Sequence, residues 1–420
     1  MSIVIECGQL IDGELSEPVR PGVVLVDGAR IAYAGPAAAL ERPPDAEVIQ
    51  APNGTVMPGL IDVHVHVTND GGPGRTRAVL GDSLAEPAAL ALQGYANSLK
   101  SLHAGYTTLR NLHAPGYVDV ALRDAIASGR LAGPRLVVCG QGLCITGGHM
   151  DKTVLPDHVR VGGRVGVCDT PDGFRQAVRR HVKVGVDFIK INSDVGSMRD
   201  PAAPYLQEMS FDEMAATCAE AHKFGRHVAA HTAGGPPIED AVRAGVDTIE
   251  HGHWLTERAI ELMRERGTFY VPTLIVNSRN FVYDRETLGV SESGWQWMRL
   301  AYEAKWASLE RAHAAGIKIA AGSDAGFLVD HGENAAELAE LVQGGLSPME
   351  AIQAATKTAA ALLGRMDEFG TLAAGKLADV IVVDGDPLAD ITILQSCDRI
   401  THVLKEGCFA KRPGKDPPLI

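Results

Sequence analysis

Two histidines two residues apart are the first side chains in this sequence with the spacing of a metal site. His64 and His66 lie near the end of Leu60–Val67, where valine and isoleucine alternate with polar residues. Side chains alternate faces along a β-strand, so both imidazoles and Asp62 share one face and the apolar residues share the other. A hydrogen-bonded pair of core histidines is the alternative. The clean alternation, and the position at the carboxyl end of a strand, favour two imidazoles that bind one metal ion.

A lysine lies inside another apolar strand candidate, Val186–Asn192. By alternation, Lys190 shares a face with Val186 and Phe188, where a free ammonium group would be costly to bury. A lowered pKa, a salt bridge or carbamylation by CO2 would each relieve that cost. Beside the other candidate ligands carbamylation is favoured, because a carbamate is a carboxylate that can bridge two metal ions.

Three further candidate ligands follow strand-like segments. His231 ends Val228–His231 and His251 ends Thr248–His251, and either histidine alone would be typical of a satisfied core residue. Together they lie at the same level of consecutive strands. Asp324 would project inward from the last strand, opposite the first, where a carboxylate without a metal or cation beside it would be destabilising.

These residues form one predicted set of metal ligands: His64, His66, Lys190, His231, His251 and Asp324. Histidine nitrogens with carboxylate oxygens suit zinc, with manganese, iron and cobalt as competitors. Two divalent ions about 3.5–4 Å apart would share a bridging hydroxide and polarise a scissile carbonyl. Asp324 would take the proton of the nucleophile and return it to the leaving group. The predicted chemistry is hydrolysis.

The segments that must position these residues alternate between strand and helix. Eight strand candidates follow one another: Val56–Val67, Thr107–Leu112, Arg135–Cys139, Val186–Ile191, His227–Thr232, Thr248–His251, Thr268–Leu274 and Ile317–Gly322. Helical patterns lie between most of them, as over Phe211–Phe224, Glu239–Ala244 and 289–311. Alternating βα units favour a parallel sheet, and eight of them favour an α/β (β/α)8 TIM barrel, with its site at the carboxyl ends of the strands.

The two ends of the chain have a different pattern. Residues 1–56 and 369–420 both consist of short strand-like segments separated by turn residues. Neither end is long enough to bury both faces of a sheet by itself. We therefore expect the two ends to form one small composite β-sandwich beside a barrel of residues 57–368.

Composition limits the partners and the compartment. The chain has 420 residues, 45% of them hydrophobic, and a net charge of −13, which disfavours nucleic acid and anionic membrane surfaces as partners. None of the seven cysteines forms a CxxC pair, which indicates free thiols in a reducing compartment. We find neither a signal peptide nor a run of about 18 apolar residues. We therefore expect a cytoplasmic protein that acts on a small molecule, with a homo-oligomer left open.

Longer motifs around these residues resemble a known family. The HxH motif after Met57–Asp62, the strand-four lysine, the two later histidines and GSDAG at Gly322–Gly326 resemble the amidohydrolase superfamily. Further motifs resemble its branch of Xaa-Pro dipeptidases, Xaa-Arg/Lys carboxypeptidases and imidazolonepropionase-like proteins. They are TTLRN at 107–111, TGGHM at 146–150, AVRAGVDTIEHG at 241–252, AATKTAAALLG at 354–364 and GTLAAGKLADVIVVDGDPLADI at 370–391. The resemblance covers nearly the whole chain, and its metal motifs are more specific than its substrate motifs.

The resemblance implies a barrel with a composite β-sandwich and a binuclear zinc site that includes a carboxylated Lys190. It also implies that His149, in TGGHM, donates a hydrogen bond to the substrate carbonyl. Two positions depart from the pattern of many peptidase relatives. Ala233 stands where they carry an aromatic residue or a histidine, and Asn111 stands where they carry an aspartate. These departures bear on dipeptide specificity and not on the metal chemistry.

A peptide or N-acyl amino acid substrate would present a free carboxylate near the mouth of the barrel. His331, in the loop after the last strand, is a candidate to meet it. His253 follows His251 closely and would either line the pocket or pack against its neighbours. Loop cations are weaker candidates, because exposed ones are usually solvated; they are Arg75, Arg77, Lys152 and Arg199.

The leading hypothesis is a binuclear metal-dependent amidohydrolase that cleaves an amide C–N bond in an Xaa-Pro-like dipeptide or an N-acyl amino acid. One alternative is a hydrolase of a xenobiotic amide or carbamate, or of a mycotoxin amide. A second is a mononuclear cyclic-amide hydrolase or deaminase, like imidazolonepropionase, which Lys190 disfavours because one metal ion needs no bridging carbamate. A third is a non-catalytic scaffold, which the presence of all six ligands disfavours.

Overall fold

The computed structural model describes residues 2–73, 85–151, 166–194 and 205–414. Its strands are β1 (Ser2–Leu10), β2 (Gly22–Asp27), β3 (Arg30–Pro36), β4 (Glu47–Pro58), β5 (Leu60–Val65), β6 (Tyr106–Asn111), β7 (Arg135–Val138), β8 (Leu143–Cys144), β9 (Gly166–Val167), β10 (Phe188–Asn192), β11 (His227–Gly234), β12 (Thr248–Trp254), β13 (Phe269–Val271), β14 (Val380–Val383), β15 (Ile400–Lys405) and β16 (Cys408–Lys411).

The α-helices of the described ranges are α1 (Pro87–His103), α2 (Val118–Ala127), α3 (Pro171–Val184), α4 (Phe211–Lys223), α5 (Pro236–Ala244), α6 (Glu257–Arg266), α7 (Leu274–Arg279), α8 (Arg285–Leu288), α9 (Glu292–Ala314), α10 (Ala336–Gln343), α11 (Pro348–Ala354) and α12 (Lys357–Leu362). Short 3-10 helices lie at Ala37–Ala39, Pro115–Tyr117, Ile391–Gln395 and Cys397–Arg399. Of these described helices, none combines the length and the apolar character needed to cross a membrane.

The two ends of the chain meet in one seven-stranded sheet with the order β16-β15-β14-β4-β1-β2-β3. Strand β4 pairs in parallel with β1 and antiparallel with β14, so N-terminal and C-terminal strands are direct neighbours. Apolar side chains from both ends, such as Ile5 and Val380, pack in one cluster. This is the joining of the ends that the sequence led us to expect. The sandwich arrangement and the boundaries at 56 and 369 stay predictions.

The middle of the chain folds into parallel strands that alternate with helices. Strands β5, β6 and β7 form one parallel sheet, and a second has the order β13-β12-β11-β10-β8-β9. The backbone amide of Asp187, just before β10, donates to the carbonyl of Val138 in β7. On the other side, residues 317–325 form bridges to both β13 and β5. Backbone hydrogen bonds therefore connect the two sheets on both sides.

Helix caps set where the strands that carry the candidate ligands begin. Helix α3 starts after Thr170, whose hydroxyl accepts a hydrogen bond from the amide of Gly173. The helix ends at Gly185, which takes a left-handed φ of 96° that glycine adopts without steric cost. The chain then turns directly into β10, which delivers Lys190 to the interior.

The predicted strand over 317–322 is observed differently. The structure has isolated bridges at Ile319 and Ala325 instead of a regular strand. The segment approaches β5 so closely that a Cβ atom at Gly322 would lie 2.6 Å from the Cβ atom of His64. Since real Cβ atoms do not approach so closely, glycine permits the contact that brings the end of this segment to the histidines.

The predicted helix over 289–311 is observed as α9, three residues later at its start and its end. Gly289 has a left-handed φ of 63° and terminates the short helix α8. Helix α9 then begins after Ser291, whose hydroxyl accepts a hydrogen bond from the amide of Gly294. This capping glycine and serine explain why the helix does not begin at 289.

Candidate metal centre and active site

His64, His66 and Asp324 converge where β5 ends. The Oδ1 atom of Asp324 lies 3.5 Å from Nε2 of His64 and 3.2 Å from Nε2 of His66. All three side chains are buried, and one potential ligand atom from each lies within 4.8 Å of the other two. The structure thus brings together the two histidines at the end of β5 and Asp324, which the sequence predicts to lie opposite them.

His231 and His251 form a second group beside the first. Their ring centroids are 4.4 Å apart, and the ring of His251 lies 5.0 Å from that of His64. The Nδ1 atom of His251 lies 2.7 Å from the hydroxyl of Thr273, which orients the ring. The ring of His149 stacks on His231 at 4.0 Å with an interplanar angle of 24°. All four histidines therefore lie in one continuous cluster.

The backbone is strained at two of these positions. His251 has a φ of 75° and Asp324 a φ of 57°, left-handed values that are uncommon outside glycine and cost on the order of 1–3 kcal/mol each. In a regular strand, Glu250 and His251 would point to opposite faces, yet both reach the cluster around His64. The left-handed turn at His251 accounts for this departure from alternation.

Lys190 lies in the same cavity, with 4% of the residue exposed. Among the residues that the structure describes, its Nζ atom has no hydrogen-bond partner, and no carboxylate pairs with it. Burial lowers the pKa of Lys190 to about 8, and the charge of Arg110 acts in the same direction. The salt bridge considered from the sequence is therefore not found among the described residues, and a larger fraction of this amine is neutral near physiological pH than in a free lysine.

Glu250 orients His64 and was missed in the sequence analysis. Its Oε2 atom lies 2.7 Å from Nδ1 of His64, and its Oε1 atom accepts a hydrogen bond of 2.6 Å from Arg110. Burial opposes ionisation of this carboxylate, but Arg110 and His64 outweigh burial and hold the pKa of Glu250 below its usual range. Such a carboxylate fixes the imidazole tautomer and turns Nε2 towards Asp324, as is typical of metal-bound histidines. The available signal was that Glu250 shares the inward face of β12 with Thr248.

Asp62, on the polar face of β5, connects this strand to the segment of residues 317–325. Its Oδ1 atom accepts hydrogen bonds from the backbone amides of His64 and Ser323, at 3.0 and 3.1 Å. Its Oδ2 atom accepts from the hydroxyl of Ser323 and from the carboxamide of Asn334. Burial raises the pKa of Asp62 to about 6. These four bonds hold the two segments that carry His64 and Asp324 side by side.

The imidazoles of His64, His231 and His251 are neutral. Burial lowers the pKa of His64 and places those of His231 and His251 well below the ordinary value, with Lys190 acting in the same direction. A neutral imidazole keeps the lone pair that metal binding requires. Within the described ranges, Nε2 of His231 makes no hydrogen bond, and Asp194 Oδ1 lies 3.7 Å from it.

The candidate ligands open into a cavity with one largely apolar wall. The apolar side chains of this wall are Val276, Trp297, Met298, Phe327 and Leu328. His253 lies in the same wall, with its ring 5.7 Å from that of Trp297 and 6.0 Å from that of His251. It therefore both packs and lines the pocket, the two roles considered for it from the sequence.

His331, another predicted substrate contact, is not among the described residues that line this cavity. His331 is buried under the loop that follows β5, where its Nε2 atom lies 3.3 Å from the carbonyl of His66 and 3.2 Å from that of Asn69. It does not line the cavity, and it supports the backbone beside His66. The four loop cations lie outside the residues that the structure describes: Arg75, Arg77, Lys152 and Arg199.

Asn111, at the end of β6, holds neighbouring segments in place through buried hydrogen bonds. Its Oδ1 atom accepts a hydrogen bond from the amide of Val67, and its Nδ2 atom donates to the carbonyl of His113 and to Asp119 Oδ2. Because Asp119 supplies the carboxylate, an amide at position 111 completes the network. The second departure, Ala233, is buried in the apolar cluster that contains Trp297, so a small apolar residue adjoins the cavity wall.

Parallel α/β architecture with histidines, a lysine and an aspartate near the strand ends is typical of metal-dependent hydrolases. The sequence model of the family described as "Amidohydrolase family" matches residues 55–409, and the chain belongs to that family. Ochratoxinase of Aspergillus niger is 30% identical over 435 aligned positions, which cover 99% of this chain and 88% of that protein.

Solved structures extend the comparison. A Xaa-Pro dipeptidase with methionine bound in its active site superposes with a TM-score of 0.87 at 31% identity, over 97% of this chain and 99% of that one. A prolidase in complex with N-methylphosphonate-L-proline has a TM-score of 0.86 at 31% identity, over 98% of this chain and all of that one. The chain is thus a hydrolase that acts on carbon–nitrogen bonds, and the assignment made from sequence motifs is confirmed.

Proposed function

We propose that this amidohydrolase is binuclear and cleaves the amide bond of a dipeptide or an N-acyl amino acid. The observation that carries the proposal is the convergence in one buried cavity of the His64–His66–Asp324 cluster with the unpartnered Lys190. We include in the proposal the closure of the parallel strands into a (β/α)8 barrel. The bridges from residues 317–325 to both β13 and β5 support that closure.

The residues of the cavity fit a pair of divalent metal ions. His64, His66 and Asp324 offer two imidazoles and a carboxylate at short range, a donor set that suits zinc. His231 and His251 offer two neutral imidazoles next to them. Lys190 lies in the same cavity and would bridge the two sites as a carbamate.

Carbamylation of Lys190 requires a neutral amine, because the lone pair of Nζ attacks CO2 and one proton leaves as the carbamate forms. The lowered pKa of about 8 supplies that amine near neutral pH. The absence of a hydrogen-bond partner for Nζ in the described residues supports the same assignment, since a buried polar atom without a partner is costly. Carbamylation would convert this unpartnered amine into an anionic ligand.

The side chains of the cavity have distinct roles in the proposed hydrolysis. Two bound divalent ions would lower the pKa of a water molecule and polarise the scissile carbonyl. Asp324 accepts the proton that this water loses and gives it to the nitrogen of the departing amine, so it acts as base and then as acid. His149 donates a hydrogen bond to the carbonyl oxygen from its place against His231. Glu250 holds the tautomer of His64 throughout.

A mycotoxin or other xenobiotic amide is the second candidate substrate. The relative named ochratoxinase, 30% identical across 99% of this chain, favours it, as does the aromatic surface that Trp297 and Phe327 give the cavity wall. Both candidate substrates present an amide bond to the same catalytic residues. They differ in the size and aromaticity of the groups on either side of that bond.

Amine release from a panel of Xaa-Pro dipeptides and N-acyl amino acids, together with metal analysis, tests the proposed function. We expect release of the free amine and close to two equivalents of divalent metal per chain. Asp324→Asn should abolish turnover, while Asp367→Asn, a matched change at an exposed aspartate, should not. A reproducible single equivalent would favour the mononuclear alternative, and no amine release from any metal-loaded preparation would overturn the proposal.

A further inference from the structure

The apolar wall of the cavity contains a polar group that the proposed hydrolysis does not use. Asn280 directly follows α7 and is 5% exposed, and it lines the cavity together with Val276 from α7 and Trp297 from α9. Its Oδ1 atom is buried and has no hydrogen-bond partner within the described residues. This oxygen is a hydrogen-bond acceptor beside the apolar side chains of Val276 and Trp297.

The same wall contains a second buried polar atom that has no hydrogen-bond partner among the described residues. His253 is 4% exposed, and its Nδ1 atom is buried without a hydrogen-bond partner among the described residues. A buried polar atom that stays unpaired is destabilising, and native structures contain few of them. Two on one cavity wall indicate a surface whose partners arrive with a ligand.

The rest of the wall identifies the chemistry of that ligand. Trp297 packs edge-on against His253 at 5.7 Å, and Phe327 packs edge-on against His66 at 4.6 Å, so both rings are held in fixed orientations. Met298 adds a polarisable thioether to the same surface. Fixed aromatic rings and a methionine favour an aromatic group over an aliphatic one, because ring–ring and sulfur–ring contacts add to the burial of apolar area.

We propose that this wall, formed by α7, the start of α9 and Phe327, is the specificity subsite of the enzyme, for an aromatic group that carries a hydrogen-bond donor. Asn280 accepts the hydrogen bond from that donor, and Trp297 packs against the ring. The inference rests on the proposed amide hydrolysis, and it adds the substrate class. The preferred substrate has a phenol-like or amide-bearing aromatic group on one side of the scissile bond.

Matched substrate pairs test the proposal in the metal-loaded full-length enzyme. One pair is N-acetyl-L-tyrosine and N-acetyl-L-phenylalanine, and the other is N-(4-hydroxyphenylacetyl)glycine and N-(phenylacetyl)glycine, so the hydroxyl is placed on either side of the amide. For one pair we expect kcat/KM to favour the hydroxylated member by about tenfold, as one hydrogen bond to a buried acceptor supplies. Asn280→Leu should bring that ratio close to one.

Two further variants separate the subsite from a general loss of structure. Asn280→Asp retains an acceptor oxygen and should keep the preference for the hydroxylated substrate. Gln296→Leu makes a similar change on the exposed face of α9, next to Trp297, and should leave the ratio unaltered. Thermal unfolding and metal content, measured for each variant, show whether the fold and the metal site are retained.

The outcomes separate this inference from the proposed function. Hydrolysis of both pairs without a preference for either hydroxylated member, or an unaltered ratio in Asn280→Leu, would overturn the subsite and leave amide hydrolysis standing. A preference that Asn280→Leu and Asn280→Asp both abolish would also overturn it, since the acceptor would then not be the cause. Absence of hydrolysis of any N-acyl amino acid or dipeptide would instead overturn the proposed function.

Discussion

Glu250 Oε2 lies 2.7 Å from Nδ1 of His64, although 186 positions separate the two residues in the chain. The contact joins β12 to β5. It extends to Arg110, whose guanidinium group donates a hydrogen bond of 2.6 Å to the other carboxylate oxygen of Glu250. All three side chains are buried. The orientation of a predicted metal ligand therefore depends on a charged pair behind it.

Glu250→Gln tests this dependence. Glutamine keeps the size of the side chain but removes the charge that favours the required tautomer of His64 and that compensates Arg110. We expect metal affinity to fall by roughly 10- to 100-fold and the free energy of unfolding to fall by about 3 kcal/mol, because Arg110 stays buried without its counterion. Metal titration of the chelator-treated protein and urea denaturation measure the two effects. Glu261→Gln, on the exposed face of α6, is the control, and equal metal affinity in both variants would contradict the prediction.

Lys190→Ala removes the proposed bridging ligand and leaves a space where the carbamate would stand. Activity should fall by several orders of magnitude, and short carboxylic acids or bicarbonate should restore part of it by occupying that space. The rate of amine release against added acetate, propionate or bicarbonate is the measurement, with wild-type protein at the same ionic strength as control. Unaltered activity in Lys190→Ala would remove the bridge from the proposed site.

His149→Asn addresses the hydrogen bond to the substrate carbonyl. The ring of His149 stacks on His231 but is not one of the predicted metal ligands, so the change removes the imidazole donor and none of those ligands. We expect kcat to fall by about 100-fold or more, as for the loss of a donor to a developing oxyanion, with metal content unchanged. Loss of metal in this variant would show that His149 belongs to the ligand set.

The sequence was informative where one strand sufficed to place a side chain. His64, His66 and Lys190 could be predicted because each lies in an apolar, alternating segment that leaves its polar residue one face to occupy. Alternation places Glu250 on the inward face of β12, but its contact with His64 could not be predicted from either strand alone, since the contact depends on how two distant strands align. The left-handed φ of His251 could not be predicted from the sequence either. Strand alternation predicts that His251 and Glu250 point to opposite faces.

The departure at Asn111 has a structural cause that the sequence could not show. In the fold its amide donates to Asp119, which comes from a different element, so the carboxylate expected at position 111 is present nearby in another residue. Asn111→Asp would lose that donor and place two carboxylates together. We expect a loss of about 3 kcal/mol in the free energy of unfolding at pH 8. The double variant Asn111→Asp/Asp119→Asn restores a donor and acceptor pair and should recover most of it in urea denaturation; no recovery would contradict the pairing.

The same pair predicts how stability depends on pH. Burial raises the pKa of Asp119 to about 6 in the folded protein, so the folded state binds this proton more tightly than the unfolded chain does. The contribution of Asp119 to the free energy of unfolding is therefore greatest below about pH 4 and is lost as the pH rises through 6. Asp119→Asn should flatten this part of the profile relative to wild type, as measured by urea denaturation from pH 4.5 to 7.5. Profiles of identical slope would contradict the raised pKa.

Lys305 holds the helix that carries the wall of the cavity. Its fully buried Nζ atom donates to the carbonyl of Leu274 at 2.8 Å, to the hydroxyl of Ser278 at 2.6 Å and to Glu340 at 2.9 Å, which fixes both ends of α7. Lys305→Met should lower the free energy of unfolding by about 3 kcal/mol, because Glu340 loses its counterion. It should also lower kcat/KM for aromatic amides more than for N-acetylglycine, because α7 loosens.

The double variant Lys305→Met/Glu340→Leu is the control for stability. It replaces the whole pair by apolar side chains and should recover the free energy of unfolding. An equal loss of kcat/KM for both substrates in Lys305→Met would show that α7 does not set the shape of the wall.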